Sequence, residues 1–202
     1  MFPLGTLLLP GQLLPLHVFE DRYRTLVADI RDAQPPIFGI VLIERGSEVG
    51  GSDVRMHVGT CARILRLQES DDGRFAMLVG GTNRIRVESW LADTPYPRAE
   101  IVDFVDDEGG VAEDDVLGLL AQHRRVSAIA TEFGIGRFEP SSTAGLDSSL
   151  AVWNMIAESP LGTLDRQRLL EIPRLRERMD AFSQMLRETE QYLLMELPDD
   201  AG

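Results

Sequence analysis

Near residue 106 the spacing of apolar residues changes from two to about 3.6, and this change restricts the chain to folds whose strands and helices are segregated along the sequence. Upstream, Phe75, Met77 and Val79 alternate with Ala76 and Leu78, and Arg84-Ile85-Arg86-Val87-Glu88 repeats the alternation. Downstream, Val116, Leu119, Leu120, His123, Val126, Ile129, Ala130 and Phe133 trace one helical stripe. A doubly wound sheet, which interleaves strand and helix, is excluded by this order. The acidic, glycine-containing run Asp106 to Gly110 lies at the change and marks the boundary. Residues 1–105 are therefore expected to form a β-barrel subdomain and residues 111–202 a helical subdomain.

Within the first part, Tyr23, Leu26, Val27 and Ile30 fall at i, i+3, i+4 and i+7, which predicts one helix that Glu20 and Asp21 open and Pro35-Pro36 stop. Strands are expected at Pro15 to Phe19, Ile37 to Ile43, Val58 to Gln68, Arg74 to Val79, Arg84 to Glu88 and Arg98 to Val105. A polar surface loop is expected from Glu44 to Asp53, and Asp72-Gly73 predicts a hairpin turn after Val58 to Gln68. Gly80-Gly81 reads as a bulge or sharp bend. Short strands with glycine breaks and one inserted helix predict a small closed or nearly closed barrel. In the second part the first helix starts at Glu113-Asp114-Asp115 and stops at Gly134. Leu150, Trp153, Ile156 and Ala157 mark a second, ended by Ser159-Pro160, and Thr163 is expected to cap a third that runs to Leu170. Leu175, Met179, Phe182, Met185, Leu186, Leu193 and Leu197 mark the last, opened by Pro173. The fold class is α+β.

Composition narrows the chemistry. All 20 basic residues are arginine, so a Walker A lysine, a Ser-Lys protease dyad and Schiff-base catalysis are excluded for these 202 residues. A formal charge of -13 opposes a phosphate backbone and anionic membrane surfaces, so neither nucleic acid nor membrane is an expected partner. Cys61 is the one cysteine and cannot form an internal bridge, which with the proline-broken, unbasic opening Met1 to Pro15 leads to a cytoplasmic expectation.

No residue meets the requirements of a catalytic, cofactor-binding or metal-ligating group. His17, His57 and His123 lack a second ligand at metal spacing; His123 is expected to pack in its helix and His17 to hold a backbone carbonyl. Cys61, between strand residues Thr60 and Ala62, reads as a buried small apolar residue rather than a nucleophile. The runs Asp106 to Glu108 and Glu113 to Asp115 lack the ligand order of a calcium loop and read as linker and helix-start charge. Gly134-Ile135-Gly136 follows a helix, not a strand, and fails as a dinucleotide turn. Ser141-Ser142 and Ser148-Ser149 have no nucleophile-elbow flanks. Met179, Met185 and Met195 suit core packing, whereas Tyr192-Leu193-Leu194-Met195 is apolar all round and reads as a modest interface signal.

Phe2-Pro3-Leu4-Gly5, Leu9-Pro10-Gly11 and Leu14-Pro15-Leu16-His17-Val18-Phe19-Glu20, followed by Arg22-Tyr23-Arg24 and Leu26-Val27, resemble the amino-terminal substrate-recognition domain of Lon proteases. Phe38-Gly39-Ile40-Val41, Val58-Gly59-Thr60-Cys61-Ala62-Arg63-Ile64, Asp72-Gly73-Arg74 and Gly81-Thr82-Asn83-Arg84-Ile85-Arg86-Val87 continue the resemblance in order. Trp153-Asn154, Leu169-Leu170-Glu171 and Leu175-Arg176-Glu177-Arg178 extend it more loosely. The resemblance implies a PUA-like β-barrel followed by a helical bundle, and a role in recognising polypeptide. It is to stand-alone members, without the ATPase and protease modules of a full Lon.

The expected function is therefore a non-catalytic polypeptide-binding module, an adaptor or holdase for protein clients and for a cellular protease. Its client is expected to lie between barrel and helices, with an exposed strand edge adding hydrogen bonds. One alternative is a small-molecule sensor or enzyme that uses Arg84, Arg86 and Tyr23 at the barrel mouth. Another is a structural subunit that assembles through its last helix. No cofactor is expected.

Overall fold

The two periodicities become two compact units, Met1–Val105 and Asp106–Gly202. A computed structural model describes residues 1–45, 54–107, 109–135 and 145–195. Most of the loop expected at 44–53, together with Glu108, Gly136, Ser141, Ser142 and Leu197, lies outside the described residues.

The first unit contains β1 (Phe2–Leu4), β2 (Leu13–Val18), α1 (Asp21–Ile30), β3 (Ile37–Arg45), β4 (Val54–Glu69), β5 (Phe75–Trp90) and β6 (Ala99–Asp103). One sheet runs in the order β1-β3-β4-β5-β2, and β6 pairs with β5 outside that path. β1 is parallel to β3 and every other pairing is antiparallel. At about 3.3 Å per residue, the long β4 and β5 would overrun a small barrel if straight. Two register shifts bend the pair, with the extra residue on β5 opposite Thr60/Ala62 and on β4 between Ile64 and Arg66, and the sheet curls into a half-barrel. Among the described residues β1 and β2, at the two ends of the path, do not pair with each other.

The bulge expected at Gly80-Gly81 is present: Gly81 and Arg84 face Ala62 and Thr60, so β5 carries an extra residue directly after Gly81, yet the strand continues through it without a break. Gly81 also serves close approach: a Cβ there would lie 2.2 Å from the Leu9 carbonyl oxygen, so only glycine lets the β1–β2 connection press against the sheet. Inside the curl, Phe2, Leu4, Leu16, Val18, Phe38 and Val79 form the core, closed over by Tyr23, Leu26 and Val27 of α1.

The second unit contains α2 (Glu113–Glu132), α3 (Ser148–Glu158), α4 (Thr163–Leu170) and α5 (Leu175–Met195). Asp147 caps α3 by accepting the Leu150 N–H at 2.8 Å. Thr163 is not a cap: Gly162 takes that place and Thr163 is the first residue of α4. Arg178 of α5 has no solvent exposure. It donates to the Asp106 carboxylate and to the Ile172 carbonyl at 2.8 Å, and its guanidinium lies 4.0 Å from the Trp153 ring centre. This buried charge is held by an ion pair and a cation–π contact, which together join the start of the unit to α3 and α5.

Candidate functional site

The half-barrel leaves a cleft where its two terminal strands fail to meet. Phe2, Leu4 and Thr6 line one side and residues 14–20 of β2 and its continuation line the other, with Tyr23 of α1 also in the lining; the enclosed space is about 200 Å³. The lining is apolar because alternate β2 residues, Leu14, Leu16 and Val18, turn inward. One wall is rigid. Phe2 and Tyr23 stack with ring centres 4.1 Å apart and 8° between planes, and Arg22 covers Tyr23 at 4.5 Å. At the rim Glu20 accepts from Arg22 at 3.1 Å, so the carboxylate and guanidinium there are already paired.

The polar atoms of β2 divide between the two sides of the strand. Leu14 pairs with Val79, which pairs with Ile64. Ile64 donates its N–H away from β5, to Pro36 at 3.0 Å, so Val79 must direct its own backbone groups at β2. The Gly81 N–H, donating to the Gln12 carbonyl at 2.8 Å, has the same parity. Leu14, Leu16 and Val18 therefore bond to β5. The N–H groups of Leu13 and His17 and the carbonyls of Leu13, Pro15 and His17 face the open edge. Pro15 has no N–H to leave unpaired there, which is why a proline is tolerated in this strand.

The other sequence candidates fall elsewhere. The guanidinium groups of Arg84 and Arg86 both lie against Phe104, at 4.3 and 4.1 Å from its ring centre. Arg84 is 1% exposed and so does not sit on a solvent face as its alternation with Ile85 suggested. Neither arginine lines the cleft that Tyr23 lines, so the structure does not assemble Arg84, Arg86 and Tyr23 into one pocket. His17 holds no backbone carbonyl among the described residues; it is exposed and borders the cleft. His57 accompanies the Val87 carbonyl at 3.3 Å. His123 is buried against Phe182, with 6.2 Å between ring centres. Cys61 is buried, and burial pushes its thiol pKa up, away from nucleophilic use. Among the described residues no three His, Cys, Asp or Glu side chains gather as a metal site. No helix among them is long and apolar enough to cross a membrane.

Residues 1–188 match the family model of the ATP-dependent protease La (LON) substrate-binding domain. The chain belongs to this family. Its relatives include Lon protease 2 of Herpetosiphon aurantiacus, 27% identical over 188 residues covering 91% of this chain and 23% of that protein. Lon protease of Anaeromyxobacter dehalogenans is 26% identical over 192 residues, covering 91% of this chain and 22% of the relative. The chain thus spans about a quarter of the length of these curated relatives. Among solved structures, the Lon N-terminal domain protein from Xanthomonas campestris aligns with a TM-score of 0.61 and 25% identity, covering 92% of this chain and 95% of that one. The N-terminal domain of a Mycobacterium avium complex Lon protease shares the fold, with a TM-score of 0.56 at 17% identity over 94% and 96% of the two chains. The Lon substrate-binding fold accounts for the half-barrel and the helices together. The open β2 edge and the cleft beside it were not assigned from the sequence; Pro15 within an extended apolar run was the available sign of an edge strand.

Proposed function

We propose that this chain binds extended or unfolded polypeptide at the open edge of β2, as a cytoplasmic adaptor or holdase that makes and breaks no bond. The observation that carries the reading is a strand edge that is unpaired among the described residues and runs beside an apolar cleft. An extended client adds a strand there, takes hydrogen bonds from Leu13 and His17, and lowers alternate apolar side chains towards Phe2 and Leu16. The backbone bonds serve any sequence, and the cleft favours apolar ones. A family whose model is described as substrate-binding supports the reading.

The test is fluorescence anisotropy with a labelled, permanently unfolded polypeptide. The double substitution Leu13→Pro and His17→Pro removes both outward N–H groups and no ladder bond, so the sheet is retained. Each lost hydrogen bond is worth about 1 kcal/mol, and affinity is expected to fall by more than tenfold with the circular dichroism spectrum unchanged. Equal affinity in the double variant would show that the edge is not the site. Absence of binding by the unsubstituted protein would remove the function itself.

A further inference from the structure

The outer face of the same strands presents an array that shares only Pro15 and His17 with the cleft lining. Three rows run across β4, β5 and β2: Arg63, Gly80 and Leu13; Arg66, Leu78 and Pro15; Gln68, Ala76 and His17. The register shift between Ile64 and Arg66 adds Leu65 to this face beside Arg66, because the extra residue of a bulge leaves two successive side chains on one side. Leu65 reaches over Gly80, where a Cβ would lie 3.2 Å from its Cδ1 and 3.7 Å from Cδ2 of Leu13. Leu13 is 62% exposed and Leu65 50%. The lower two rows line a shallow trough of about 480 Å³ between Arg66 and Gln68 of β4 and Pro15 and His17 of β2, and the row of Arg63, Gly80 and Leu13, with Leu65, continues the same face beyond the trough's end.

Its charge is opposite to that of the whole chain. Arg63 and Arg66 are exposed, and no carboxylate pairs with either among the described residues. Glu69, the acidic residue nearest along β4, is instead taken by Arg31 at 3.2 Å. A sheet face open to water ordinarily alternates to polar residues. Here it is apolar at its centre and cationic along one side, in a chain of formal charge -13.

We propose that this outer face, trough included, is a second polypeptide contact that selects acidic apolar segments, leucine-type side chains seating on Leu13, Leu65 and Leu78 while Asp or Glu carboxylates pair with Arg63 and Arg66. The inference rests on the polypeptide-binding reading and adds to it a preference in client chemistry. Apolar area supplies contact, and the two guanidinium groups reject a segment whose intervening residues are basic.

The test uses the full chain and two labelled peptides with identical leucine positions, one with glutamate and one with lysine between them. At low salt the glutamate peptide is expected to bind about tenfold more tightly, with the difference shrinking as salt rises. Arg63→Gln with Arg66→Gln should abolish the difference while leaving binding of a neutral unfolded polypeptide intact. Equal binding of the two peptides, or a preference that survives the double substitution, would overturn the proposal and leave the edge reading standing. Failure of every peptide and of the unfolded polypeptide would instead defeat that underlying reading. A sedimentation shift to a dimer that the double substitution dissociates would identify a second copy as the occupant and overturn the proposal.

Discussion

His123 shows how burial converts a side chain met in sequence as a candidate ligand into a structural group. It lies on the apolar stripe of α2 with no exposed surface. Burial, reinforced by the charge of Arg124 and opposed by a hydrogen bond to the Glu158 backbone, lowers the imidazole pKa from 6.5 to about 4. The folded chain therefore holds this ring neutral where the unfolded chain protonates it. Between those two values the unfolded state binds more protons, so the stability present above pH 6.5 is lost as pH falls towards 4, by up to about 3 kcal/mol. Urea unfolding at pH 7 and pH 4.5 is expected to show this loss, and His123→Leu should reduce it. A variant with the same pH dependence as the unsubstituted protein would locate the effect elsewhere. Gly59 carries a steric rather than electrostatic constraint, since a Cβ there would stand 2.1 Å from the Ile40 carbonyl oxygen of the neighbouring strand.

α5 buries one part of its methionine and aromatic surface and exposes another. Met179, Phe182, Leu186 and Leu193 are buried, while Tyr192, Leu194 and Met195 are exposed, Met195 at 82%. The apolar run at its end is therefore divided: Leu193 belongs to the core of the helical unit and its neighbours face outward. Leu193→Ala is expected to cost about 2–4 kcal/mol, whereas Met195→Ala should stay within about 0.5 kcal/mol. Chemical denaturation of the two variants checks the contrast, which equal losses would contradict. Truncation after Met179 is accordingly a poor probe of assembly, because it removes Phe182 and Leu186 from the core. The strand elements carry a parallel lesson. The hairpin at Asp72-Gly73 was legible because its turn needs a positive φ, and Gly73 has φ 75°. The continuity of β5 through Gly80-Gly81 was not, because it depends on what stands opposite.

For the whole molecule, the acidic excess acts as a diffuse load rather than a site. Most of it lies beyond residue 105, where Glu113, Asp114 and Asp115 favour the start of α2 but the remaining carboxylates repel one another. Raising ionic strength from about 10 mM to about 150 mM shortens the screening length from roughly 30 Å to roughly 8 Å. The thermal midpoint is expected to rise by roughly 2–4 °C, since the exposed ion pairs that salt also weakens contribute little. A fall in midpoint on adding salt would show that these pairs outweigh the repulsion.

The sequence by itself determined the α+β class, the change of architecture at Asp106, the family and the all-arginine basic set of these 202 residues. Each of these is written in local spacing or in residue type, which do not depend on distant contacts. Only the tertiary structure decided where the half-barrel stays open, that Arg84 is buried under Phe104, and that Leu13, Leu65, Arg63 and Arg66 share one outer face. Those facts come from strand order and register. Pairing brings together residues far apart in the chain, and a single bulge between Ile64 and Arg66 decides which of their side chains meet.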